Sequence, residues 1–73
     1  MQASDIMIHI DENLMGSEQQ ELETTVRELE GVIAPRFNKE HLFLVSYNPD
    51  KINSSELLST VKASGYKAQL VGM

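Results

Sequence analysis

His41-Leu42-Phe43-Leu44-Val45-Ser46-Tyr47 is the stretch on which the fold turns. Its apolar residues Leu42, Phe43, Leu44 and Val45 run consecutively and are bounded by turn residues. That combination reads as a strand, and the lack of polar alternation implies contacts on both of its faces. Just before it, Asn38-Lys39-Glu40 is a short turn and Val32 to Phe37 a second strand, so the two make a hairpin. Pro35 has no N–H to give a ladder, which assigns this strand to a sheet edge. Just after it, Asn48-Pro49-Asp50 breaks the chain direction, and Asn53 with Glu56 forms a capping box opening a helix. Leu57, Leu58 and Val61 point inward from that helix, Gly65 ends it, and Tyr66 to Val71 alternates as a last strand.

The N-terminal half repeats the order. Ile6-Met7-Ile8-His9-Ile10 has the period of a strand with one buried face. Asp11 to Gly16 is a loop, and Ser17 with Gln20 is expected to cap a first helix. Leu22, Val26 and Leu29, with Glu18 in line, fall at spacings of three and four and define a narrow stripe along that helix, which Gly31 stops. Two strand-helix-strand units in this order give an α+β fold: a four-stranded antiparallel sheet with both helices on one face and the first and third strands at its centre.

The 73 residues are enough for one domain, expected to span 1–73, with a single modest core. There is no cysteine, so neither a disulfide nor a thiolate cage supports it. Eleven acidic against six basic residues give a net charge of −5, which opposes binding to nucleic acid and makes a basic or neutral partner easier to imagine; a protein partner or self-association is expected. No apolar run reaches the roughly 18 residues of a membrane span, and the first residues lack a signal peptide's basic start. The expectation is a soluble, cytoplasmic chain with no membrane span. No serine, histidine and acid fall into a nucleophilic arrangement and no glycine-rich phosphate loop occurs, so an enzyme is not expected.

Three further stretches resemble a known family. They are Val26-Arg27-Glu28-Leu29-Glu30-Gly31-Val32 closing the first helix, Tyr47-Asn48-Pro49-Asp50 leaving the third strand, and Leu57-Leu58-Ser59-Thr60-Val61-Lys62-Ala63-Ser64-Gly65-Tyr66 ending the second helix. Together, in this order and spacing, they are similar to the heavy-metal-associated domains of copper chaperones and metal-pumping ATPases, across nearly the whole chain. The resemblance implies a ferredoxin-like βαββαβ sandwich. That family grips soft ions with a Cys-x-x-Cys between the first strand and first helix. Counting back from Gly31 by the family's spacing places Met15 and Glu18 on the two cysteine positions, around Gly16 and Ser17. With both thiolates missing, the family's metal transfer is not expected and no cofactor is assigned.

Two candidate sites follow. In the loop, Met15 and Glu18, helped by Asp11 or Glu12 and by His9 or Met1, would make a weak site for a metal ion. The simpler account has Met15 packing under the loop and Glu18 favoured as a negative charge in the first helical turn. On the sheet, if Phe43, Val45 and Tyr47 turn toward the helices, Leu42 and Leu44 turn away. Beside them the first strand presents Met7 and His9, and the last presents Lys67, Gln69 and Val71. Met7, His9, Leu42 and Leu44 are therefore the expected partner-binding residues. His41 falls near His9 and makes either a weak zinc or pH-sensitive pair or two ordinary exposed strand histidines. The acids Glu18, Glu21, Glu23, Glu28 and Glu30 read as a solvated helix face.

Overall fold

A computed structural model describes residues 3–38 and 41–71. The elements run β1 (Ser4–Ile10), α1 (Gly16–Arg27), β2 (Val32–Phe37), β3 (Leu42–Tyr47), α2 (Ser54–Ala63) and β4 (Ala68–Val71). The sheet order is β2-β3-β1-β4 with every neighbouring pair antiparallel, so β1 and β3 are central as the pattern of two strand-helix-strand units requires. Lys39 and Glu40 of the expected turn lie outside the described residues.

Alternation along β3 sorts its side chains between the two faces. Phe43, Val45 and Tyr47 are buried, while Leu42, Leu44 and Ser46 are half-buried on the other side. Ile8 and Ile10 of β1 join the first set with no exposed surface, and α1 adds Leu22 and Val26, α2 Leu57 and Val61. Phe43 stacks on Phe37 of β2 with ring centroids 4.7 Å apart. Each of these fully buried side chains contributes about 1.5–3 kcal/mol from leaving water. That is the main support for a chain with no covalent staple.

The start of α1 differs from expectation. Ser17 does not cap it; the helix begins at Gly16 with Met15 as N-cap. Met15 has no side-chain oxygen, so the capping falls to Glu18, whose Oε1 accepts the Met15 backbone N–H at 3.1 Å. Glu18 is therefore exposed and outside the apolar stripe of Leu22 and Val26. The second helix follows its sequence signal: Asn53 Oδ1 accepts the Glu56 N–H at 2.9 Å.

Gly31 turns the chain between α1 and β2 at φ +100°, a conformation side chains resist. Its carbonyl accepts the Asn48 N–H at 2.7 Å, and a Cβ there would sit 2.8 Å from Lys51 Cβ. The glycine thus lets the loop after β3 close onto the end of α1. Within that loop the buried Asn48 accepts the Asp50 N–H on its own Oδ1 at 3.0 Å.

Strand β2 lies at the sheet edge, with Pro35 opposite Val45 and a register shift between Val32 and Ala34 that leaves Ile33 50% exposed. The N–H of Phe37 is taken by Glu23 Oε2 of α1 at 3.3 Å. Pro35 has none to offer.

Candidate functional site

Two regions carry the candidate residues: the corner between β1 and α1, and the open sheet face. At the corner the main chain of Met15 is in extended conformation (φ −79°, ψ 167°), and its side chain is 72% exposed rather than packed under the loop. Leu14 fills the inward position instead, 5% exposed, and its carbonyl accepts Gln19 Nε2 at 3.2 Å. Glu18 is committed to the Met15 N–H, and its charge also complements the partial positive charge at the helix start. Glu12 is committed too: both of its carboxylate oxygens accept the Lys67 N–H, at 3.0 and 3.2 Å. Asp11 N–H returns a bond to the Lys67 carbonyl at 2.9 Å.

These bonds tie the first loop to the approach of β4 and explain why β4 starts at Ala68 rather than at Tyr66: the Lys67 N–H belongs to Glu12 and not to a ladder. Tyr66 stands among the same carboxylates. Partial burial raises its phenol above the usual tyrosine range, and the negative charges of Glu18, Glu21 and Glu12 raise it further.

Among the described residues, no three His, Cys, Asp or Glu side chains converge as a metal cage. Met1, the other candidate sulfur at the corner, lies outside the described residues. A thioether in open solvent and a carboxylate bound to backbone are what Met15 and Glu18, the residues expected at the corner, offer.

The open face is built by register. Met7 lies directly opposite Leu44, and His9 opposite Leu42, on the β1–β3 pair; Val71 flanks Met7 and Gln69 flanks His9 on β4. Arg36 of β2 lies opposite Leu44 on its other side. Met7, Leu44, Leu42 and Val71 thus form one apolar strip across three strands, each residue half-buried by its neighbours and with no helix above it. Two shallow depressions, of about 170 Å³ beside Leu44 and about 70 Å³ beside Tyr66, are smaller than the roughly 300 Å³ at which small-molecule sites begin.

At the end of this face the two histidines meet. Their rings stack with centroids 5.7 Å apart and planes 20° apart. His41, expected to open the third strand, precedes it instead, with its Nδ1 2.8 Å from the Ile10 carbonyl oxygen. His9 Nδ1 is 3.3 Å from Asp11 Oδ1 without the geometry of a hydrogen bond.

No family model matches the sequence, and no curated protein matches it. Solved structures do match in shape. The N-terminal domain of a potential copper-translocating P-type ATPase from Bacillus subtilis, in a Cu(I)-loaded state, superposes with a TM-score of 0.87 at 25% identity, covering 97% of this chain and 90% of that one. A copper binding domain from HMA7, a P-type ATPase, gives 0.85 at 12% identity, with 93% of each chain covered. The CopZ metallochaperone gives 0.80 at 20%, covering 93% of this chain and all of that one. The chain has the ferredoxin-like fold of heavy-metal-associated domains. It has that fold without any cysteine, and so without the pair that defines the metal loop of those domains.

Proposed function

We propose that this chain is a protein-interaction module that keeps the heavy-metal-associated scaffold and works through the open face of its sheet. The observation that carries the reading is the direct opposition of Met7 and Leu44, extended by Leu42 and Val71 into an apolar strip on the side away from the helices. Contiguous apolar surface of this kind on a small domain marks contact sites.

Charge supports the same face. Asp5 and Asp11 are balanced there by Arg36 and Lys67, while the acidic surplus of the chain lies on the helix side, in Glu18, Glu21, Glu23, Glu28, Glu30 and Glu56. A near-neutral apolar strip suits a second copy of the chain as partner, because two such faces meet without like-charge repulsion. The role is non-catalytic, in the cytoplasm. Metal delivery of the kind named for the structural neighbours would require Met15 and Glu18 to replace two thiolates. Neither the exposed thioether nor the hydrogen-bonded carboxylate supplies that grip.

The test is a Leu42→Ser/Leu44→Ser double variant, followed by sedimentation and amide NMR over a concentration series. The wild-type chain should show concentration-dependent shifts at Met7, Leu42 and Leu44, and the variant should lose them while keeping its fold. Concentration-independent spectra, with a lone monomer at every loading, would sink self-association. Global unfolding of the variant would show instead that both leucines are core.

A further inference from the structure

The two histidines at the end of the open face differ in how they are held. The main chain of His41 accepts the Ile10 N–H at 2.8 Å, and its ring folds back so that Nδ1 lies 2.8 Å from the Ile10 carbonyl. A carbonyl oxygen only accepts, so Nδ1 carries the proton, and in the neutral ring Nε2 holds the lone pair. A histidine whose far nitrogen is anchored on a backbone carbonyl has a fixed tautomer and ring orientation, the arrangement that supports metal ligation.

His9 is held differently. Its Nδ1 is buried beside Asp11, and its ring, which no hydrogen bond fixes among the described residues, stacks on that of His41. Neither Nε2 has a partner among the described residues.

We propose that His9 and His41 together form a two-imidazole site for a divalent late transition metal ion, Zn²⁺ being the probe, on the open sheet face and apart from the Met15–Glu18 corner. Imidazole nitrogen suits Zn²⁺, Ni²⁺ and Cu²⁺ better than the thioether–carboxylate mixture of the corner does. Zn–N bonds of about 2.0–2.1 Å in tetrahedral geometry require the two nitrogens to come within about 3.3 Å. His41 is pinned and His9 is not, so the His9 ring does the turning. Water completes the coordination, since no third protein ligand converges there among the described residues. The Asp11 carboxylate next to His9 offsets part of the added charge.

The experiment uses the full chain without a polyhistidine tag, at a concentration where it is monomeric, so that its result is independent of the interaction reading. Zn²⁺ is titrated while histidine ring nitrogens and backbone amides are followed by NMR. Both Nε2 resonances should shift together, with amide changes centred on His9, His41, Leu42 and Gln69. His9→Gln should weaken Zn²⁺ binding by about tenfold or more, and Met15→Ala should leave it unchanged. Because no hydrogen bond holds the His9 ring, His9→Gln should keep the fold and is the decisive variant; His41→Gln is the companion. Zn²⁺ shifts centred on Glu12, Met15 and Glu18, or an affinity indifferent to His9→Gln, would overturn the proposal.

Discussion

The Glu18 carboxylate accepts the Met15 backbone N–H at 3.1 Å, so the two residues that the family's spacing proposes for the thiol positions are joined here by a helix cap. This is half of a capping box. The other half is weak because a methionine side chain has only a thioether, and no oxygen, to receive an N–H from the first turn.

Met15→Ser should supply that oxygen. The backbone at position 15 already has the extended conformation of an N-cap, and the side chain being replaced is 72% exposed, so little packing is lost. The expected gain is about 0.5–1 kcal/mol, read as a higher denaturant midpoint with unchanged slope. A loss of stability would mean that Met15 makes apolar contacts in solution.

Met15→Cys/Glu18→Cys should give the chain a Cu(I) site. Both positions lie at the start of α1, where the helix lowers thiol pKa and favours the thiolate that soft ions need. Competition against a chromophoric Cu(I) chelator should show stoichiometric capture by the double variant and none by either single variant. Failure of the double variant would show that the loop is not in the metal-gripping register.

Gly31 and Gly65 have nearly the same backbone conformation, φ +100° and +102°, but different surroundings. A Cβ on Gly65 meets nothing within 4 Å, whereas one on Gly31 meets Lys51 Cβ at 2.8 Å and Ile52 Cγ2 at 3.0 Å. Gly65→Ala should therefore cost only the left-handed penalty, about 1–2 kcal/mol. Gly31→Ala should cost that and an overpacking contribution of about 1–3 kcal/mol more. Equal losses in urea unfolding would refute a close approach of the post-β3 loop to Gly31.

Stability should also fall at alkaline pH through Tyr66. An unfolded tyrosine titrates near pH 10, and the folded phenol is raised above that, first by burial and then by Glu18, Glu21 and Glu12. As pH climbs past about 10, the unfolded chain releases this proton before the folded one does, and the contribution present at neutral pH is lost progressively. Tyr66→Phe should flatten that part of the stability curve while leaving the neutral value close to wild type. An identical alkaline slope in the variant would remove Tyr66 from the account.

Much of this fold was legible in local pattern. The limits of β2 were read at Val32 and Phe37 because a glycine and a turn bracket a β-branched run, and Asn53 named its helix start through an oxygen at the right spacing. The start of α1 departs from its sequence signal for the complementary reason: Ser17 and Gln20 look like a cap, but the chain enters the helix at a residue with no capping oxygen, and Glu18 answers for it. The clustering of Met7 with Leu42 and Leu44 follows from alternation once β1 and β3 are central, whereas the direct opposition of Met7 and Leu44 is a matter of register. The clamp of Glu12 on the Lys67 N–H, which shortened the last strand, joins residues 55 apart and has no local signature. The anchoring of His41 on Ile10 has none either; it depends on where two strands end in space.

The edge strand β2 has one more consequence. Pro35 brings no donor to the outer side of that strand, Glu23 occupies the donor of Phe37, and the shift at Ile33 breaks the line of the backbone. An incoming strand would find little to template on, which guards against runaway fibrous stacking through this margin. The self-association proposed above would bring copies together face to face, and a two-fold arrangement of that kind closes after a pair instead of growing into an open-ended array.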